Sequence, residues 1–84
     1  MVIFFEGAKF DNVSFKYVYL SSAVPFKNTY LAGADFSNKN LSNMDFTNAN
    51  LVNANLANAN LANANLANAN LVNVNLNGNV YPFL

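Results

Sequence analysis

Large apolar residues recur at every fifth position along most of the chain. From residue 26 onward the series has no slip and comprises Phe26, Leu31, Phe36, Leu41, Phe46, Leu51, Leu56, Leu61, Leu66, Leu71 and Leu76. Upstream, Phe5, Phe10, Phe15 and Leu20 keep the spacing, but Leu20 and Phe26 are six positions apart. We call each of these residues the centre of a quintet. The repeat predicts a single domain over 1–84, with a one-residue phase shift at 21–25 and a C-terminal tail at 77–84.

A period of five excludes an α-helix, because residues five apart differ by about 140° around a helix axis and never form a stripe. On a strand, the centre and the residue two before it point to one face, and the residue between them points to the other. The remaining two residues of the quintet then turn a corner. Four such sides close a coil of about twenty residues, and coils stack at ~4.8 Å. The sequence predicts an all-β protein, a four-sided parallel β-helix of about four coils.

The quintets Ala49-Asn50-Leu51-Val52-Asn53 and Ala54-Asn55-Leu56-Ala57-Asn58 resemble the pentapeptide-repeat family, whose motif is Ala-(Asp/Asn)-Leu-X-X. The resemblance is close from Ala49 to Asn73 and covers nearly the whole chain in degenerate form. It implies a right-handed quadrilateral β-helix. The alternative for the Asn-rich half is a disordered low-complexity tract. Such a tract has no reason to hold fifteen centres with a single slip.

The inward position two before each centre is small in the regular quintets and unusual at Thr29, Met44 and above all Lys39. We expect the Lys39 stem to lie against the wall while its head leaves the core through a distorted corner. A role as an anchor for an anion or a partner is the alternative. The outward asparagines, such as Asn50 and Asn70, are expected to bond to one another along the axis, as in cross-β ladders. A ligand-binding row of amides is the alternative for these.

The composition argues against an enzyme. The chain has no cysteine and no histidine, so the usual nucleophile and base pairs and zinc sets cannot be assembled. Asp35 and Asp45 are expected on opposite sides of a coil, too far apart to act on one substrate. We therefore expect no catalytic residues, no metal and no cofactor. The longest apolar run, residues 2–5, is far short of the roughly 20 residues that span a bilayer. No membrane association and, by default, a cytoplasmic location are expected.

The charge balance bears on the partners that the resemblance implies. The best-known members of the family resemble DNA and bind DNA gyrase or topoisomerase IV. Over the ~18 Å of axis expected here, B-DNA carries about ten negative charges. This chain has four acidic residues and four lysines, with none of them in 47–84. DNA mimicry is therefore the alternative function, and direct nucleic-acid binding is not expected because no basic stripe exists.

Two candidate surfaces emerge. The aromatic residues Phe4, Tyr17, Tyr19 and Tyr30 are expected at outward positions of the N-terminal half and form a candidate partner patch, unless they merely fold over irregular corners. The tail residues Val80, Tyr81, Pro82, Phe83 and Leu84 form a candidate oligomer interface. The predicted function is a non-enzymatic scaffold that self-associates through its ends, as a two-fold dimer or alternatively as a filament, with an unidentified protein partner possible.

Overall fold

A computed structural model of the chain describes residues 5–21 and 25–79. Within these ranges there is no α-helix and no extended strand, and the regular structure consists of single-residue parallel bridges separated by turns. Each turn begins at a centre and closes three residues later, as where the Ala54 N–H donates to the Leu51 carbonyl at 2.9 Å. The turn uses four residues of the quintet. Only the residue before the centre forms a bridge to a neighbouring coil, whereas the sequence predicted a three-residue strand on each side.

The bridges fall into four rows, each of which runs along the axis. Row 1 contains Lys9, Tyr30, Asn50 and Asn70; row 2 contains Ser14, Asp35, Asn55 and Asn75; row 3 contains Asn40 and Asn60; row 4 contains Asp45 and Asn65. Consecutive rows are five residues apart, so the four rows mark the four sides of one coil. Bridged residues are 21 apart between the first coil and the second and 20 apart thereafter.

Backbone hydrogen bonds join each coil to both of its neighbours. The N–H of a centre donates toward the C-terminal side, as from Leu51 to the Asn70 carbonyl at 2.9 Å. The N–H of the residue before the centre donates toward the N-terminal side, as from Asn50 to the Thr29 carbonyl at 2.9 Å. Every regular quintet therefore ties its coil to the coils on either side. A coil at one end of the stack has partners on one side only.

The core is a column of centres in which aromatic rings dominate the N-terminal part. Phe15 stacks on Phe36 with ring centroids 4.5 Å apart, and Phe26 stacks on Phe46 at 5.5 Å. The two stacks come from opposite sides of the coil and meet edge to face, as where Phe36 lies 5.7 Å from Phe46 at 78°. Both arrangements are the favourable ones for aromatic pairs. The rings therefore interlock across the interior.

Burial of the centres decreases toward the C-terminal end of the described residues. Leu51 is 0% exposed, whereas Leu71, which follows it one coil later on the same side, is 37% exposed. Leu56 and Leu61 are buried as the sequence predicted, and Leu66 is half-buried. The difference arises because a centre is covered by the coils before and after it.

At every described corner except Tyr17, the second residue after the centre has a left-handed conformation. Gly33 has φ of 70° and Asn53, at the same corner one coil later, has φ of 60°. Glycine has no Cβ to clash there, and asparagine tolerates this region better than other residues do. The predicted repeat did not specify this conformation for the asparagines. The signal was available, since Asn or Gly occupies the position in every quintet from residue 26 onward.

Candidate interaction surfaces

The side chains of the outward asparagines are hydrogen-bonded within the turns. Asn50 accepts a hydrogen bond on Oδ1 from the Val52 N–H at 3.1 Å, and the amides of the following quintets do the same two residues on. The predicted ladder along the axis is wrong at these positions, because the N–H two residues on takes the amide oxygen. An axial amide bond occurs instead at a corner, where Asn48 Nδ2 donates to Asn28 Oδ1 at 2.9 Å. The outward row therefore stabilises the fold.

Asp35 and Asp45 occupy the same turn position as these asparagines. Asp45 Oδ1 accepts from the Thr47 N–H at 2.9 Å and from the Thr47 hydroxyl. The Thr47 hydroxyl and N–H lower the pKa of Asp45, and those of Ser37 lower the pKa of Asp35. The two carboxylates lie in rows 4 and 2, on opposite sides of the coil. Among the described residues there is no group of three or more acidic, His or Cys side chains that could hold a metal ion.

The first coil opens on its third side, beginning at Tyr17. This residue occupies the corner position where Asn38 and Asn58 have positive φ, but Tyr17 does not have positive φ. A bulky side chain is unfavourable in the left-handed region. At the preceding corner the Asn12 N–H donates to the Ala32 carbonyl at 2.8 Å, whereas the Tyr17 N–H has no backbone partner among the described residues. The first coil therefore separates from the second after this corner.

Lys39 faces this opening from the second coil. Its side chain is half-buried, and its ammonium donates to the Val18 carbonyl at 2.5 Å. On the preceding side, the equivalent Val13 carbonyl accepts the N–H of Asp35. The Lys39 ammonium thus takes the place that the backbone N–H of Asn40 would occupy in a regular coil. The expectation that the head leaves the core at a distorted corner is confirmed.

The open side carries two of the four aromatic residues of the candidate partner patch. Tyr17 is 90% exposed and Tyr19 is 89% exposed, and the Lys16 ammonium lies 5.3 Å from the centroid of the Tyr17 ring. Tyr30 is 46% exposed but bridges in row 1, on the opposite side of the coil from row 3. Phe4 lies outside the described residues. The structure therefore divides the patch and leaves Tyr17 and Tyr19 together.

The second candidate surface is the C-terminal end of the stack. The predicted interface residues, Val80, Tyr81, Pro82, Phe83 and Leu84, lie outside the described residues. In the last described coil, the N–H groups of the centres Leu66, Leu71 and Leu76 have no backbone partner among the described residues. Val72 is 59% exposed beside them. Within the part of the chain that the structure describes, this end combines backbone donors that lack a partner with apolar side chains.

The rows of bridges and the four-residue turns between them define a protein built from quintets. The chain matches the family described as a pentapeptide repeat region over residues 3–79, and it therefore belongs to the pentapeptide-repeat family. No curated protein matches it. No helix in the described part of the chain is long and apolar enough to cross a bilayer.

Proposed function

We propose that this protein is a non-enzymatic scaffold, a right-handed quadrilateral β-helix that associates with a second copy of itself through the C-terminal coil. Family membership supports a repeat scaffold. The backbone N–H groups of the last described coil that have no partner within residues 5–21 and 25–79 carry the proposal of self-association. A row of unpaired strand donors and acceptors tends to pair with another chain unless it is covered.

The distributions of apolar and charged residues also support association through the C-terminal coil. Leu71 and Val72 are exposed on the last described coil, and residues 47–84 include no charged side chain. Surfaces without net charge associate more readily, because no repulsion opposes contact. In contrast, the corners of the first coil carry the exposed charged residues Glu6, Asp11 and Lys16. A two-fold contact between C-terminal ends pairs the neutral surfaces and leaves the charged coil in water.

A head-to-tail filament is the other geometry that backbone chemistry allows. The carbonyls of Lys9 and Ser14 in the first coil have no backbone partner among the described residues, so they could accept from the N–H groups of the centres in another copy's last described coil. A filament grows with concentration, whereas a two-fold contact closes at two copies. The mass in solution as a function of concentration distinguishes these two geometries.

The test is light scattering on the intact chain and on a matched pair of variants. Val72→Lys places a charge at the exposed end, at a turn position that Lys16 and Lys27 already occupy in earlier coils. Val52→Lys places the same charge at the same corner one coil earlier. We expect a dimer for the intact chain and for Val52→Lys, and a monomer for Val72→Lys. A second pair, the intact chain and one truncated after Asn79, tests whether the tail contributes to the contact. A monomeric intact chain would overturn the proposal.

The charge arrangement does not support DNA mimicry. Asp35 and Asp45 lie in rows on opposite sides of the coil, so they form no continuous anionic stripe. The four lysines cancel the four acidic residues. A protein partner at the open side, with Tyr17 and Tyr19 as its contacts, and a cytoplasmic location both remain proposals from the sequence.

A further inference from the structure

Asn77 stands apart from the other asparagines of the chain. It is the one asparagine of the sequence that is followed by glycine, at Gly78. All the others precede a residue with a side chain, which in the regular quintets is Ala, Leu or Val. An Asn-Gly pair is chemically labile because glycine has no Cβ that would hinder the attack of its own backbone nitrogen on the asparagine side chain.

The reaction needs only water. The backbone nitrogen of Gly78 gives up its proton to solvent base and attacks Cγ of Asn77. A C–N bond forms, the bond to the side-chain NH2 breaks, and ammonia leaves. Water then opens the cyclic imide at either carbonyl, which yields aspartate or isoaspartate. Either product replaces a neutral amide by a carboxylate, and isoaspartate also lengthens the backbone by one carbon.

In the interior of the fold, the N–H group that would attack is hydrogen-bonded to the backbone. The N–H that follows a corner asparagine is held in the turn, as where the Ala54 N–H after Asn53 donates to Leu51. The Gly33 N–H is likewise held, by the Val52 carbonyl at 2.8 Å. The Gly78 N–H has no backbone partner among the described residues, and Asn77 and Gly78 are both exposed. The N–H groups that follow Asn65, Asn70 and Asn75 in the last described coil also lack such a partner, but they belong to leucines. Gly78 is the attacking residue among them that has no Cβ to hinder the reaction.

We infer that Asn77 is a site of spontaneous modification, at which deamidation introduces a negative charge into the neutral C-terminal end. Residues 47–84 otherwise contain no charged side chain. This inference rests on the proposed function in one respect: if two C-terminal ends face each other, two new carboxylates repel across the contact. Loss of ammonia from Asn77 would then loosen the association as the protein ages.

The experiment incubates the purified full chain at mildly alkaline pH and follows the modified residue by peptide mass mapping. Asn77→Ala removes the reactive amide and introduces a residue that the repeat already uses at Ala57 and Ala67. Gly78→Asn keeps a residue suited to the left-handed corner, as at Asn58, and removes the glycine. We expect amide loss at position 77 to precede loss at every other asparagine in the intact chain. We expect it to be at least several-fold slower in Gly78→Asn. Equal rates at Asn77 and at the interior asparagines would overturn the inference.

The effect on association is measured separately, by light scattering on fresh protein, aged protein and the Asn77→Asp variant. We expect aged protein and Asn77→Asp to dissociate at concentrations where fresh protein and Asn77→Ala remain dimeric. If fresh protein is already a monomer, the proposed function fails while the mass mapping still decides the modification. If Asn77 is modified but association does not change, the regulatory half of the inference is wrong.

Discussion

The Lys39 ammonium donates to the carbonyl oxygen of Val18, where a regular side of the coil would use a backbone N–H. On the preceding side, the equivalent bond runs from the Asp35 N–H to the Val13 carbonyl at 3.0 Å. Lys39 also replaces the small inward residue of the regular quintets, such as Ala34. Together with Tyr17 at the corner, it breaks the repeat at two facing positions. Local departures of this kind in an otherwise consistent sequence are typical of functional or strained positions.

We predict that the double variant Tyr17→Asn, Lys39→Ala closes the third side of the first coil. Asparagine can adopt the left-handed corner and alanine leaves room for the backbone, so the Leu20 and Asn40 N–H groups should acquire partners. Hydrogen bonds of this kind contribute about 1 kcal/mol each, so the free energy of unfolding should rise. Hydrogen exchange at Leu20 and Asn40 measures the closure, and thermal unfolding measures the gain.

Lys27→Ala is the control for the loss of a lysine, since Lys27 is exposed at a regular corner. It should leave the exchange of both amides unchanged. If the double variant leaves the Asn40 amide as exchangeable as before, the opening does not depend on Tyr17 and Lys39.

The loss in free energy of unfolding when a centre is truncated to alanine should depend on the position of that centre along the stack. Leu51→Ala removes a fully buried side chain and should lower the free energy of unfolding by roughly 2–5 kcal/mol. Leu71→Ala makes the same chemical change on the same side one coil later, where the side chain is 37% exposed, and should cost clearly less. Urea unfolding of the two variants gives the comparison. Equal losses would mean that Leu71 is covered in solution. Because association of two copies would itself cover Leu71, the comparison is repeated in the Val72→Lys variant, which we expect to be a monomer.

Corner asparagines should be replaceable by glycine but not by alanine. Asn53 has φ of 60°, a conformation that costs an ordinary L-residue roughly 1–2 kcal/mol. Asn53→Gly should therefore be close to neutral, whereas Asn53→Ala should lose about that amount. Thermal unfolding of the pair decides the matter, and a smaller loss for Ala than for Gly would contradict the conformational argument.

The sequence predicted the features that follow from the five-residue period. It could not predict the features that depend on which hydrogen-bond partner a particular N–H or carbonyl group takes. Five-residue spacing placed Leu51 and Leu56 in the core, because the alternation of inward and outward positions follows from the repeat alone. It did not predict that Asn50 bonds to Val52 within its own turn, since the choice between that N–H and the next coil's amide depends on backbone geometry. Likewise, Lys39 was recognisable as an outlier. Its acceptor, the Val18 carbonyl, became free only because Tyr17 does not form the regular corner.

The last prediction concerns Asp45 and acid. The hydroxyl and N–H of Thr47 stabilise its carboxylate, so its pKa in the folded protein lies below the ordinary value of 3.8. A carboxyl group whose pKa is lowered by folding contributes stability that is present above 3.8 and is lost as the pH falls through the folded pKa. Thr47→Ala removes the hydroxyl, which is the largest cause of the shift, and retains the N–H. The pKa of Asp45 should therefore move back toward 3.8, as followed by NMR titration of the side-chain carboxyl.

Asp35 is the internal control, because its partner is Ser37 and it lies on the opposite side of the coil. Asp45→Asn retains an acceptor for the Thr47 N–H, as Asn40 does for Ser42, and should remove this part of the acid sensitivity in thermal unfolding at low pH. An Asp45 pKa that is unaffected by Thr47→Ala would show that the hydroxyl does not hold the carboxylate in solution.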